Sequence, residues 1–193
     1  MARVPYFNLD EAEGKLAEYF SDSELGRLNI AKMVAHVGDA AIPWIELVQE
    51  LRNNGELDPV IREMAIVRVA WHAKSDYELY YHGQQLLAMG VTQEKIQAVF
   101  DGPTSDDLSD FEKDLIRFTD QIVDRFTPND EEFESMRSAL SMRQLHELVF
   151  NIGLYLMSSA YMATFELELE PEAARAWEEV GPASAADTKA GRS

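Results

Sequence analysis

Residues 57–90 have the sequence LDPVIREMAIVRVAWHAKSDYELYYHGQQLLAMG, which predicts two amphipathic helices separated by a short break at 73–75. Asp58 and Pro59 begin the first helix, because Asp is a favoured N-cap and Pro suits the first helical position. The apolar residues that follow are denser than a single stripe, which predicts burial on more than one side. The second helix begins near Asp76, and together the two helices form the expected centre of the protein.

Three ionisable side chains interrupt this apolar pattern. Glu63 lies on the most apolar helix, and an unpaired buried carboxylate is costly, so it either faces solvent or has a partner. If Glu63 is buried, we expect burial to raise its pKa. A surface pair with Arg62 or Arg68 is the alternative. Glu78 and His82 are four residues apart and so share one helix face, either as part of a site or as a surface pair worth about 0.2–0.5 kcal/mol.

Glu63, the segment SDYE at 75–78, and His82 together resemble the carboxymuconolactone decarboxylase family, which includes the alkylhydroperoxidase D-like proteins. Redox members of that family carry a glutamate, then Cys-x-x-Cys, then a histidine four residues later, with the glutamate 19 residues before the histidine. The same separation of 19 residues joins Glu63 to His82. Ser75 and Glu78 occupy the two cysteine positions, so the resemblance is to the cysteine-free, decarboxylase-like branch.

The resemblance covers roughly residues 58–171 and implies an all-α, alkylhydroperoxidase D-like helical bundle that assembles as a homo-trimer or hexamer. It also implies an acid/base enzyme, a carboxy-lyase or isomerase, that needs no cofactor. The implied substrate is a small organic acid or lactone, and the implied reaction is decarboxylation, isomerisation or lactone opening. In this interpretation His82 is the general acid/base, and Glu63 and Glu78 orient it or share its proton.

Three tyrosines flank the site in the sequence or on the last long helix. Tyr77, Tyr81 and Tyr155 are the candidate substrate-binding residues, and a role in the core is the alternative for each. The last helix departs from the family where members often carry an asparagine, an arginine and a second asparagine. This chain has Leu156, Ala160 and Ala163 there, listed in the same order. That departure predicts a more apolar pocket.

A metal site is a second chemical interpretation of the same residues. Glu78 and His82 have an acceptable ligand spacing, and Glu63 or His72 would complete a set of three. No two histidines share that spacing, and the family is not generally metal-dependent, so we expect no metal.

Composition excludes several classes of function. The net charge is −18, from 17 basic and 35 acidic residues, which argues against nucleic acid or an anionic membrane as a partner. An anionic substrate would therefore need a local positive site. The chain has no cysteine, which excludes disulfides and thiol redox catalysis. Because we find no signal peptide and no apolar run of transmembrane length, we expect a cytoplasmic protein.

Helix signals continue along the whole chain, and no segment alternates like a β-strand. We expect one helical domain over residues 1–180 and a disordered tail over 181–193, which is small and polar. The predicted helices outside the central pair cover residues 9–21, 25–37, 40–53, 92–101, 109–127, 129–140, 141–168 and 171–180.

A non-catalytic binding or assembly protein on the same scaffold is the competing hypothesis. A collapsed pocket, or Glu63 and His82 facing bulk solvent, would favour it. Hydroperoxide reduction is the weakest interpretation, because the chain has no cysteine.

Overall fold

The computed structural model describes residues 1–21 and 24–180, and within these residues every regular element is helical. This confirms the predicted all-α class. Short 3-10 helices cover Leu9–Glu11, Glu24–Arg27 and Ala35–Ala40. The predicted tail, 181–193, lies outside the described residues. The α-helices are α1 (Gly14–Phe20), α2 (Asn29–Val34), α3 (Ala41–Asn53), α4 (Pro59–Ala73), α5 (Asp76–Ala88), α6 (Gln93–Asp101), α7 (Asp110–Arg125), α8 (Asp130–Ala139), α9 (Met142–Phe165) and α10 (Pro171–Val180).

Helix α4 lies at the centre of the bundle and packs against α5, α7 and α9. Residues 62–70 are all buried, as the dense apolar pattern predicts. The Asp58 side chain caps the helix by accepting hydrogen bonds from the amides of Val60 and Ile61. Lys74 ends it in the left-handed region, at φ 54°, and α5 begins two residues later. This tight junction sets the angle at which the two central helices meet.

Helix α9 packs along α4 and supplies much of the core. Ser141 and Gln144 form a capping box at its start, and Glu166 ends it in the left-handed region. By length and composition α9 could cross a membrane, with a mean hydropathy of 1.4 over its most apolar window, although the sequence analysis found no such run. Core helices satisfy the same criterion, and α9 buries one full face against its neighbours.

The peripheral helices α6, α7 and α8 each begin at a capping side chain. Thr92, Ser109 and Asn129 each accept a hydrogen bond from the backbone three residues on, at the start of α6, α7 and α8. Ser109 and Glu112 complete a full capping box. These local signals work because a side-chain oxygen satisfies an amide that has no partner within the helix.

The first two predicted helices are wrong in their extent. The helix expected over 9–21 is divided, because Gly14 adopts φ 60° between a 3-10 turn and α1. The helix expected over 25–37 is a 3-10 turn, then α2, then a second 3-10 segment in which Gly38 has φ 65°. The last long helix ends at Phe165 rather than 168.

The N-terminal elements form a second, smaller core beside the central bundle. Leu16 and Phe20 of α1 pack with Ala31, Val34 and other buried residues of this cluster. Trp44 of α3 contacts both cores, so α3 bridges them. This places α3 opposite α5 and α9, with a cavity between the three helices.

Candidate functional site

His82 is held between two buried carboxylates. Its Nδ1 atom lies 2.5 Å from Glu63 Oε2, and its Nε2 atom lies 3.1 Å from Glu78 Oε2. Only 1% of Glu63, 4% of Glu78 and 8% of His82 is exposed. The Glu63 contact joins α4 to α5, whereas the Glu78 contact lies within α5. The structure therefore brings together all three residues predicted to be catalytic.

A fourth charged residue, Arg62, contacts the second oxygen of the Glu63 carboxylate. Its Nε atom donates to Glu63 Oε1 at 3.1 Å, and its Nη1 atom donates to the backbone carbonyl of Arg52 at 3.2 Å. Arg62 is itself buried, so the alternative of a surface pair for Glu63 is wrong. Arg68 does not contact Glu63, because its guanidinium is bound to Asp120.

The charges control the proton affinity of the site. Burial alone disfavours ionised Glu63, but the hydrogen bond from His82 and the positive charges of His82 and Arg62 together hold the pKa of Glu63 below its ordinary value. The expectation that burial raises this pKa is therefore wrong. Burial likewise disfavours the imidazolium, yet hydrogen bonds and charges from Glu63 and Glu78 raise the pKa of His82 to about 9. The contacts to Glu63 and Glu78 therefore favour the protonated, imidazolium form of His82.

The site forms part of the wall of a cavity of about 370 Å³. Glu78 and His82 line it, whereas Glu63 and Arg62 lie behind them. The opposite wall comes from α3, and α9 and the segment 25–31 complete it. Apolar atoms make up most of the lining, but Gln49, Arg52 and Gln85 also contribute to it. Polar side chains therefore contribute to a lining that is mostly apolar.

The three predicted substrate-binding tyrosines all line this cavity. Tyr155 packs edge-on against the His82 ring, with 4.7 Å between the ring centroids. The hydroxyls of Tyr77 and Tyr81 already donate to the Glu170 carboxylate, so each presents its ring to the cavity with its own proton engaged. Burial, followed by the charge or hydrogen bond of Glu170, raises the pKa of both tyrosines.

The departures on the last helix lie away from this cavity. Leu156, Ala160 and Ala163 do not line it, and Ala160 and Ala163 are exposed. The lining is mostly apolar, as predicted, but these three residues do not contribute to it. Ser75 is buried, and its hydroxyl contacts Met162 Sδ at 3.9 Å rather than His82.

The alternative metal set is only partly assembled, because Glu63, Glu78 and His82 meet but both ring nitrogens of His82 contact carboxylates. His72 lies apart from the other candidates, with its Nε2 atom 2.8 Å from Asp120 Oδ1. Across residues 1–21 and 24–180, no group of three or more His, Asp or Glu side chains is placed to hold a metal ion.

Several polar residues of the site were not predicted from the sequence. Arg62 was considered only as a surface partner, although its position next to Glu63 on a buried helix was an available signal. No sequence pattern pointed to three further lining residues, Arg52, Trp44 and Gln85, because only the tertiary structure places α3 against α5. Glu170, which binds two tyrosines and the Asn29 amide, lies more than 85 residues from either tyrosine.

The fold and the site together form an all-α bundle with a buried carboxylate–imidazole–carboxylate group beside a small cavity. Residues 39–121 match the sequence profile of the Carboxymuconolactone decarboxylase family, so the predicted resemblance is confirmed. The matched segment contains Glu63, Glu78 and His82. It begins and ends earlier than the expected 58–171.

Solved structures with the same fold come from several proteins. An uncharacterized peroxidase-related protein with an alkylhydroperoxidase AhpD core, from Ralstonia eutropha JMP134, is 16% identical, with a TM-score of 0.76 over 89% of this chain and 94% of that chain. An uncharacterized peroxidase-related protein from Silicibacter sp. TM1040 is 17% identical, with a TM-score of 0.73 over 86% and 91%. The debrominase Bmp8 is 18% identical, with a TM-score of 0.64 over 78% and 81%. At these identities the likeness establishes the fold alone. No functionally curated protein matches the sequence.

Proposed function

We propose that this protein is a cofactor-independent acid/base enzyme that acts on a small organic acid or lactone by decarboxylation, isomerisation or lactone opening. The observation that carries the proposal is the placement of His82 between Glu63 and Glu78, at the wall of a cavity large enough for a small molecule. The absence of cysteine from the sequence argues against a thiol peroxidase on the same fold.

The three residues take different roles in this proposal. Glu63, anchored by Arg62, holds the Nδ1 side of the imidazolium and fixes the ring. The Nε2 side and Glu78 face the cavity, and their longer contact makes this the side that a substrate can enter. The His82–Glu78 pair then donates or accepts the proton that the reaction moves.

In a decarboxylation, the bond between the substrate carbon and the carboxylate breaks, and CO2 leaves. The bonding electrons pass to a conjugated carbonyl of the substrate, which becomes an enolate. The His82–Glu78 pair donates a proton to the carbon, and the enolate returns to the carbonyl form. Solvent restores the proton to the pair, so no oxidant or metal enters the balance. In an isomerisation the same pair removes a proton from one carbon and returns it to another.

The test is turnover on a panel of β-keto acids and γ-lactone carboxylic acids, followed by CO2 release and by deuterium incorporation from D2O. We expect His82→Gln to reduce kcat by at least about 100-fold, the usual scale of a lost general acid or base. Glu78→Gln should reduce kcat similarly. His146→Gln is the matched control, because His146 is exposed on α9 and does not line the cavity. A folded His82→Gln variant with full turnover would overturn the assignment.

The non-catalytic scaffold remains the alternative function. A collapsed pocket or a solvent-facing Glu63 and His82 would favour it, and neither feature is present. Tight binding of panel compounds with no proton exchange at any substrate carbon would support this alternative.

A further inference from the structure

The carboxylate of Glu170 accepts hydrogen bonds from two separate elements. Glu170 immediately precedes α10, and its Oε1 atom accepts from the backbone amide of Asn29 at 2.6 Å and from the Tyr77 hydroxyl at 3.0 Å. Its Oε2 atom accepts from the Tyr81 hydroxyl. Asn29 is the first residue of α2, and both tyrosines lie on α5. One side chain therefore joins the start of α2 to α5.

The three donors lie on or next to one wall of the cavity beside His82. Tyr77 and Tyr81 line the cavity, and so do the residues on either side of Asn29. Glu170 itself is half-buried and is not among the lining residues. Its hydrogen bonds reach the wall from outside the cavity, so Glu170 can act on a bound molecule only through the residues that it holds.

Helix α2 depends on this carboxylate because it has no cap of its own. Leu28 occupies the N-cap position, and its apolar side chain makes no capping hydrogen bond. The Glu170 carboxylate accepts from the first amide of the helix instead, and a negative charge is favourable at this end. The Asn29 side chain adds a second link by donating to the Glu168 carbonyl at 3.0 Å. The position of this wall against α5 therefore depends on the segment that precedes α10.

The same carboxylate fixes the direction of two phenol hydrogens. An ionised carboxylate only accepts, so Tyr77 and Tyr81 both donate to it, and their oxygens keep only acceptor capacity for any other partner. Burial and Glu170 also raise the pKa of both phenols, which keeps them neutral. Neither phenol therefore offers a proton to a molecule in the cavity.

We infer that Glu170 is a positioning residue for the cavity: acting through Tyr77, Tyr81 and the start of α2, it fixes the wall beside His82 and directs both phenol hydrogens away from the bound molecule. Glu170 does not touch that molecule. Its effect on turnover rests on the proposed function, whereas the positioning of the wall applies to any molecule that the cavity binds.

The first test needs no turnover. Glu170→Gln keeps the size of the side chain but removes its charge and makes one end a donor, whereas Glu170→Ala removes both ends. We expect hydrogen exchange of the Asn29 amide, followed by NMR, to become at least about tenfold faster in Glu170→Ala, because the amide loses its acceptor. Tyr81, observed through a ¹³C label at its Cζ atom and assigned with Tyr81→Phe, should ionise at lower pH in Glu170→Gln than in the wild type. Glu172→Gln is the matched control, because it removes the same charge from an exposed residue of α10.

The second test uses a panel compound that the protein turns over. We expect Glu170→Gln to raise KM at least about threefold and to leave kcat within about twofold, because the hydrogen bonds of Glu170 go to the binding wall and not to His82. A residue that acts through the phenols should lose part of its effect when the phenol hydroxyls are removed. In a chain that carries both Tyr77→Phe and Tyr81→Phe, Glu170→Gln should therefore change KM less than it does in the wild type.

The inference is overturned if Asn29 exchange and Tyr81 ionisation in the Glu170 variants match those in Glu172→Gln. It is also overturned if Glu170→Gln lowers kcat with KM unchanged, or if its effect on KM is the same without both phenols. Where Glu170→Ala does not fold, the isosteric Glu170→Gln decides through Tyr81. If the exchange and ionisation results hold and no panel compound is turned over, Glu170 keeps its positioning role and the proposed enzymatic activity loses its support.

Discussion

The buried imidazole of His82 is the residue on which the proposed chemistry depends. The two ring nitrogens of His82 contact different carboxylates. Nδ1 contacts Glu63 and so links α5 to α4, whereas Nε2 contacts Glu78 on the side of the cavity. Burial and charge oppose each other here, and the charges prevail, because each ionised partner lies within hydrogen-bond distance. The same balance explains why the pKa of Glu63 falls rather than rises.

The first prediction concerns the titration of His82. We expect an NMR titration to give a midpoint near 9, because Glu63 and Glu78 stabilise the imidazolium. Glu63→Gln and Glu78→Gln should each lower that midpoint, since each removes one of the stabilising charges. As a control, His146→Gln at an exposed position should leave the His82 midpoint unchanged. A His82 midpoint near the ordinary ~6.5 that ignores both changes would mean that the three residues do not share protons.

The second prediction concerns stability against pH. The pKa of His82 is raised in the folded protein, so its contribution to the unfolding free energy is complete below the unfolded value of ~6.5 and is lost as pH rises toward 9. The pKa of Glu63 is lowered, so its contribution is present above its unfolded value and is lost as pH falls through the folded one.

Urea unfolding of the wild type and of His82→Gln, at a series of pH values, measures the first contribution. The difference in unfolding free energy should be largest near pH 6 and should shrink toward pH 9. A His146→Gln control should show no such decrease. A difference that stays constant or grows with pH contradicts the assigned direction.

At the scale of elements, α9 carries two adjacent buried serines with different surroundings. Ser158 donates to the backbone carbonyl of Leu154 at 2.9 Å, whereas Ser159 is fully buried and its hydroxyl has no partner among the described residues. An unpaired buried hydroxyl costs free energy, and alanine also favours the helix more than serine does. The two positions therefore make a matched pair on one helix.

The third prediction follows from this pair. Ser159→Ala should raise the unfolding free energy by about 1 kcal/mol, because it removes an unsatisfied polar group and improves helix propensity. Ser158→Ala should stabilise less or destabilise, because it also removes a hydrogen bond. Chemical denaturation of both variants measures the difference, and a destabilised Ser159→Ala would show that its hydroxyl has a partner.

At the scale of the whole molecule, α9 has an apolar face that no described part of the chain covers. Large apolar side chains are exposed along it at helical spacing: Met142 by 63%, Val149 by 42%, Phe150 by 59% and Met157 by 51%. Exposed apolar patches of this kind are typical of protein interfaces. The predicted homo-oligomer would bury this face between copies of the chain.

The fourth prediction tests that assembly. We expect light scattering coupled to size-exclusion chromatography to give a mass above that of the 21.9 kDa monomer. Phe150→Asp should lower that mass, because it places a charge at the centre of the apolar face. Phe126→Asp is the control: Phe126 is 84% exposed but lies at the end of α7. A monomeric wild type would contradict the prediction.

Much of the architecture was predictable because its signals are local. Asp58, Ser109 and Ser141 begin helices through contacts within three residues, and the apolar density of α4 follows directly from the order of its side chains. The N-terminal helices were less predictable. Gly14 and Gly38 interrupt them at positive φ, and packing against other elements selects that conformation.

By itself, the sequence determined the helical class, the family resemblance and the three residues of the candidate site, since periodicity, capping and a spacing of 19 residues are all properties of chain order. Only the tertiary structure decided which charges meet. It placed buried Arg62 behind Glu63, Glu170 on two tyrosine hydroxyls, and the face of α3 that bears Arg52 across the cavity from His82. The physical reason is that proton affinity and ligand recognition depend on distances of a few ångströms between groups far apart in the sequence, and only packing sets those distances.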